Sequence, residues 1–446
     1  MPAASPHPAR PLRPTRLALA LGLVLALTGA ARAESLKDVY EAARGYDATY
    51  LAAKALADSA QYKFAQSESL LRPSAAFNAT AQALRANAPG TGNLEQNNTA
   101  LELTGRQPLF NRANAKAVEQ SRKALEAAGT DLQAAEQDLI VRVAQAYFDV
   151  LGAQNALATT QANKAFISEQ LASAKRNFEV GTATITDTRE AQARFDLATA
   201  QEIAADNDLR AKKIALDQLV GRSGVEPKGL AVPVVLPAVN PPVVDEWVMR
   251  ADGQHPAVRK ATLALEAARL ETEKAQAGHL PTVDAVASLS SRRIGPDTQI
   301  PGTTNTASLG VQLTLPLFAG YSIQNRVKET LVLEEKSRND LESARRGVAQ
   351  NTRVAFFGVQ SLQAQVKALE AAESSSQLAL EATQLGYKVG VRVNLDVLNA
   401  QTQLFTTRRD LAKARYDTLV NSLRLRQASG ALTPEDLDGV NQLLAP

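Results

Sequence analysis

Apolar residues along this chain follow two different rhythms. In Asn114–Phe178 and Asn325–Gly386, neither of which contains a proline, they recur on a seven-residue stripe. Leu341, Val348, Ala355, Leu362 and Leu369 mark it in the later segment, with Val359 and Val366 beside them. Leu125, Leu132, Leu139 and Ala146 mark it in the earlier one, joined by Val143, Val150 and Leu157. That spacing predicts long helices of the coiled-coil type, because it keeps one apolar seam on one side over many turns. At 1.5 Å per residue, helices of ~60 residues reach ~90 Å. Ile185–Val220 and Leu395–Ser429 read as helices returning antiparallel. Each return passes through a Val-Gly pair, Val180-Gly181 or Val389-Gly390, where glycine supplies the backbone freedom of a tight turn.

Elsewhere the rhythm is two. Phe77, Ala79, Ala81 and Ala83 alternate with Asn78, Thr80 and Gln82, and Leu101 and Leu103 with Glu102 and Thr104. Val283, Ala285, Ala287 and Leu289 alternate imperfectly with Asp284, Val286 and Ser288; Leu309, Val311, Leu313 and Leu315 alternate with Gly310, Gln312 and Thr314. The pattern predicts four strands, each of about ten residues and apolar on one face. Polar segments Ala86–Asn98 and Arg293–Asn305 join them in pairs. Strands of this kind suit a transmembrane β-barrel, with Leu313 toward lipid and Thr314 toward the lumen. The same local pattern also fits a half-buried soluble hairpin. Helical stretches precede Pro73 and Pro281, interrupted near Gly45 and near Pro256.

These blocks occur twice. Gln107-Pro108-Leu109-Phe110 answers Leu315-Pro316-Leu317-Phe318, and Pro73 answers Pro281 at the same offset. After one extra residue near Ala319-Gly320, Tyr147-Phe148 answers Phe356-Phe357, Val180-Gly181 answers Val389-Gly390, Asp187 answers Asp396, and Gly221 answers Gly430. Landmarks related by a single indel imply a duplicated unit far longer than a solenoid repeat. The expected units are residues 34–221 and 244–430. Between them, 222–243 is a connector with Pro227, Pro233, Pro237, Pro241 and Pro242, too proline-dense for helix and suited to an extended link or an edge strand.

Composition narrows the chemistry. The 446 residues include no Cys, which removes disulfides, thiolate metal sites, Cys nucleophiles and Cys-linked lipid anchors. Aromatic residues make up only 4%, so cores are built from small and aliphatic side chains. Arg10, Arg13 and Arg16, the apolar run Leu17–Thr28 and Ala31-Arg32-Ala33 have the form of a cleavable export signal, residues 1–33. The net charge of +3 less four leader Arg leaves −1 from Glu34 onward, so nothing in the charge supports nucleic-acid binding. No stretch has 18 consecutive apolar residues, which argues against a membrane-spanning helix. There is no G-x-x-x-x-G-K-[ST], G-x-G-x-x-G or G-x-S-x-G, and His255 and His279 sit beside Pro256 and Pro281 as plain helix-boundary residues. No catalytic, cofactor or metal site is expected.

Four strands cannot close by themselves, and an open edge in lipid leaves backbone groups unsatisfied. Three copies would supply twelve strands, an even number within the range of bacterial outer-membrane barrels. A soluble periplasmic adaptor or an exported adhesive coiled coil would also use long antiparallel helices. Extraction separates them, since only the channel needs detergent.

At this point the chain resembles the TolC family of outer-membrane efflux and secretion channels. The resemblance spans the mature chain and includes the leader, the duplicated strand–helix unit and the turns Phe178-Glu-Val-Gly-Thr182 and Tyr387-Lys-Val-Gly-Val391. It implies a mainly α fold with membrane β: a homotrimer with a 12-stranded barrel, a 12-helix periplasmic tunnel and a small mixed equatorial collar, supplied here by Val225–Val244 and Ala431–Pro446. It implies a periplasmic gate at Thr186, Asp187, Tyr387 and Arg392. Of two acidic rings at the pore constriction, one falls on Asp396, while the other falls on Asn399 and loses its charge. Periplasmic adaptor (membrane fusion) hairpins would dock at the tips Val180, Gly181, Thr182, Val389, Gly390 and Val391. Partners would be that adaptor, an inner-membrane transporter and outer-membrane lipid, not nucleic acid. Drugs, toxic compounds and secreted polypeptides are the cargo classes the resemblance implies.

Overall fold

The computed structural model describes residues 33–88, 92–182, 184–231, 233–294 and 302–445. The leader through Arg32 and the middle of each strand–strand connection lie outside the described residues. The first unit runs α1 (Leu36–Tyr46), α2 (Ala48–Glu68), β1 (Ser74–Ala88), β2 (Gly92–Phe110), α3 (Arg112–Glu179) and α4 (Ile185–Val220). The second repeats that order: α5 (Val244–Gln254), α6 (Pro256–Gln276), β3 (Thr282–Ile294), β4 (Gly302–Thr314), α7 (Ser322–Lys388) and α8 (Asn394–Ala428), followed by α9 (Asp436–Asn441). At 68 and 67 residues, α3 and α7 are each about 100 Å long.

The helices stand side by side in one row. Toward the sheet the order is α2, α3, α6, α7; toward the Val-Gly turns it is α4, α3, α8, α7. Thus α2 stacks above α4 and α6 above α8, and each stack is joined through a glycine at the end of the lower helix. Gly221 ends α4 at φ +80° against the Tyr46 ring, and Gly430 ends α8 at φ +73° against the His255 backbone. The helix breaks above them have local causes. Asp47 accepts from Tyr50 N at 2.8 Å to start α2. His255 Nδ1 accepts from Ala257 N at 3.1 Å, and Pro256 occupies the first turn of α6, which moves the preceding residue out of helical geometry. The heptad stripe is the buried seam: Leu139, Val143, Val150, Leu341, Val348, Val359 and Val366 are all buried.

The four strands make one antiparallel sheet in the order β1-β2-β3-β4, so the β2–β3 ladder joins the two units. Its rows separate cleanly by face. Phe77, Leu103, Leu289 and Ala307 align across all four strands, as do Ala75, Gly105, Ala287 and Leu309. The other face carries Asn78, Glu102, Ser290 and Thr306, and an Arg106–Asp284 ion pair at 2.6 Å. Leu313 and Thr314 are adjacent on β4 and therefore point to opposite faces. From Leu313 to Ala307 the apolar band extends about 20 Å along the strand, close to the ~25 Å band of outer-membrane barrels. Beyond Ala307 the same face turns polar at Asn305 and Thr303.

Two expectations change. The strands have 15, 19, 13 and 13 residues rather than about ten, because pairing continues into segments expected as connections; β2 already begins at Gly92. β4 stops at Thr314, so Leu315 lies beyond the ladder. Leu317, Phe318 and Tyr321 follow it, strongly exposed, and an amphipathic aromatic group at this level suits a membrane boundary.

The collar is larger than the connector and tail expected to form it. Connector and tail meet through Ala231 N donating to Leu443 O at 2.9 Å and Ala445 N to Gly229 O at 2.7 Å. α1 joins them by a Lys37–Asp438 pair at 2.8 Å. All three cover the middle of α3, where Tyr147 Oη lies 2.9 Å from Glu34 O and Gln137 Nε2 donates to Gly430 O and Leu432 O at 3.2 and 3.0 Å. Among the described residues the collar has no strand longer than an isolated bridge, Glu34–Pro227 or Leu230–Leu444. Proline density explains this, since each Pro removes a ladder donor.

One collar contact should be acid-sensitive. Asp47 accepts from both terminal guanidinium nitrogens of Arg142 at 2.9 Å while capping α2. These hydrogen bonds, Arg142 first, hold the nearly buried carboxyl below its usual range. A depressed carboxyl contributes stability above its unfolded pKa of about 4 that is lost as pH falls through the folded value. Asp47→Asn should therefore lower stability at pH 7 and flatten the loss on acidification below about pH 4, read as thermal midpoints across pH. Parallel curves for the two proteins would rule the contact out as the acid-sensitive element.

Candidate gate at the turn end of the helices

Both hairpins end in the same turn. Gly181 N donates to Phe178 O at 3.0 Å and Thr182 N to Asn177 O at 2.8 Å; Gly390 N donates to Tyr387 O at 3.1 Å and Val391 N to Gly386 O at 2.9 Å. This pair of bonds needs a left-handed residue after the helix, and both glycines have φ +80°. Val180, Gly181, Thr182, Val389, Gly390 and Val391 are all exposed, and a Cβ at either glycine would meet nothing within 4 Å. The two tips are free surface.

Just inside the turns the expected gate residues are distributed over the row. Asp187 closes a capping box, accepting from Thr184 N at 3.0 Å and Thr184 Oγ1 at 2.8 Å. Thr186 beside it is exposed. Tyr387 Oη accepts from Asn177 Nδ2 at 3.3 Å. Arg392 faces Asp396 at 3.6 Å, one helical turn away, and Asn399 Oδ1 accepts from Arg194 Nη2 at 3.0 Å. Among the described residues, no hydrogen bond within the chain joins Thr186 or Asp187 to Tyr387 or Arg392. The row explains why: Thr186 and Asp187 open α4 at one edge, while Tyr387 and Arg392 flank the end of α7 at the other.

Sequence reasoning missed Asn177 and Arg194. Their partners lie 210 and 205 positions away, so no local spacing reveals them. Their one signal is membership of the duplicated turn region. The two positions expected at a constriction are not bare acids, because Arg392 stands against Asp396 and Arg194 against Asn399. Among the described residues no three side chains form a metal-binding group, and no helix is long and apolar enough to cross a membrane.

One row of helices, the longest ~100 Å, hung from one sheet with an apolar and a polar face and built from two copies of a strand–helix unit, defines a protomer of the channel-tunnel class. The chain belongs to the outer membrane efflux protein family, whose model matches residues 39–222 and 247–431, one stretch in each unit. It is similar to outer membrane protein TolC of Escherichia coli (strain K12), 31% identical over 444 residues covering 96% of this chain and 89% of that one. It is 34% identical over 306 residues to alkaline protease secretion protein AprF of Pseudomonas aeruginosa, covering 68% of this chain and 63% of the relative. Among solved structures, the outer membrane protein VceC of Vibrio cholerae shares the fold, with a TM-score of 0.76 at 20% identity over 89% of this chain and 96% of that one. The protein is thus an outer-membrane export channel whose helices form a periplasmic tunnel. Membership of this family sets aside the soluble hairpin, the adaptor and the adhesive coiled coil.

Proposed function

We propose that three copies close into a 12-stranded barrel and a 12-helix tunnel, through which drugs, toxic compounds or secreted polypeptides leave the periplasmic side. One observation carries this reading: the row is unfinished at both edges. One edge exposes Leu56 and Tyr62 of α2 with Ile203 and Ile214 of α4; the other exposes Val332, Val354, Phe357 and Leu378 of α7. β1 and β4 are the free strands of the sheet at those same edges. Burying each edge against the opposite edge of the next copy removes apolar surface from water and closes the backbone ladder. It is a head-to-tail contact, which gives a closed ring when the rotation permits.

The same closure supports the gate. It brings the α4 of one copy beside the α7 of the next, so Thr186 and Asp187 come to face Tyr387 and Arg392 across copies, as hydrogen-bonded ties that can break. Asp396 and Asn399 then line the constriction. The free tips around Gly181 and Gly390 are docking points for a periplasmic adaptor, and an inner-membrane transporter supplies energy. The chain itself catalyses no reaction, binds no cofactor and takes no nucleic acid. Residues 1–33 are removed during export, and 34–221 and 244–430 act as equivalent halves around connector 222–243 and tail 431–446. The name of the Pseudomonas relative supports polypeptide cargo; the family description supports small molecules.

Native mass measurement of the full chain in mild detergent tests the assembly. Three chains per particle are expected, and a stable monomer would refute closure by this route.

A further inference from the structure

Two side-chain hydrogen bonds bridge the first hairpin to the second near the turns, and they differ in kind. Asn177 to Tyr387 joins the ends of the two long helices α3 and α7. Arg194 to Asn399, 3.0 Å between Nη2 and Oδ1, joins α4 to α8. Those two shorter helices flank α3 and barely touch each other, so the guanidinium spans the gap between them. It is the only side-chain hydrogen bond between α4 and α8 among the described residues. Beside it, Ala191 of α4 and Leu398 of α8 are fully buried in one cluster with Ile167, Leu171 and Ala174 of α3.

We propose that Arg194 and Asn399 form a clasp that holds the turn end of α4 against α8 and sets how readily the export pore opens. The inference rests on the channel reading above. Its physical basis is the placement of the bond. On the α8 side the apolar contact beside it is a single residue, Leu398, set against Ala191 and Ala198 of α4 with Phe195 partly buried alongside, so one α8 side chain supplies the apolar resistance to separating α4 from α8 just above the turns. A five-donor guanidinium fixed to a side-chain amide gives that junction a defined distance. The acceptor is neutral, and the pair persists without a carboxylate at 399. Asp396 is not an alternative partner, since Arg392 stands against it.

The test uses the purified full-chain channel in planar lipid bilayers, with assembly of each variant checked by native mass. Arg194→Gln and Asn399→Ala remove the bond from opposite sides, and each should raise open-state occupancy roughly three- to tenfold, the range for losing one ordinary solvent-exposed hydrogen bond. Arg194→Asn combined with Asn399→Arg rebuilds the clasp in reverse and should restore the original occupancy. If both single variants assemble and conduct as the unmodified channel does, the clasp is wrong while the channel reading stands. Opening by the single variants without recovery in the reversed pair also overturns it, because the effect would then not depend on a bond between these two positions. An assembled, unmodified protein that forms no pore under any condition would instead sink the channel reading itself.

Discussion

Gly430→Ala should destabilise the folded chain far more than any other single-methyl change at a turn glycine. A Cβ built at Gly430 would stand 2.5 Å from His255 Cα, 2.6 Å from His255 N and 2.8 Å from Gln254 C, all backbone atoms that cannot rotate away. The residue also sits at φ +73°, where an L side chain costs about 1–2 kcal/mol. Overpacking adds about 1–3 kcal/mol, so a total loss of about 2–5 kcal/mol is expected, with α8 pushed off the base of α6. Gly181→Ala and Gly390→Ala are the controls: similar positive φ but open space, hence only the conformational cost. Gly221→Ala should fall between, because its obstacle is the Tyr46 ring, which is 56% exposed and can swing aside. Thermal unfolding of the four variants gives the ranking. A loss at Gly430 no greater than at Gly181 would show that the stacked helices do not need this close approach.

The second large effect belongs to the sheet. Leu309 lies in the apolar row with Ala75, Gly105 and Ala287 and is 85% exposed in the single chain, as a lipid-facing residue should be. Arginine there should cost about 2–4 kcal/mol per strand near the bilayer midplane, repeated in every copy, and trimer yield from membranes should collapse. Gln312→Arg places the same side chain on the opposite face, in the row of Asp284, whose carboxylate can accept from it. Near-normal yield is expected for Gln312→Arg. Equal yields from the two variants would mean that the apolar face does not meet lipid.

The candidate gate residues are legible only in part. Asp187, Tyr387, Arg392 and Asp396 stand out because they sit beside two Val-Gly turns that answer each other across the duplication. Their partners do not stand out. Asp187 is occupied by Thr184, Arg392 by Asp396 and Tyr387 by Asn177, contacts set by the capping box, by one helical turn and by the approach of α3 to α7. The collar was underestimated for a related reason. Its α1 component belongs in sequence to the first unit, and only packing brings Lys37 to Asp438.

What the chain determined by itself was everything with a period. Seven-residue spacing without proline makes the long helices, two-residue alternation makes the one-sided strands, glycine after valine makes the turns, and repetition makes the two halves. Each is a property of neighbours within one or two turns, where backbone geometry and side-chain direction decide the outcome. Tertiary structure alone decided the order of helices in the row, the stacking of α2 on α4 and α6 on α8, the β2–β3 ladder that joins the halves, and the Arg194–Asn399 bond. Those depend on groups roughly two hundred positions apart, brought together by burial of seams that many partners could satisfy equally. Pattern specifies that a seam must be covered; only the packed molecule specifies by what.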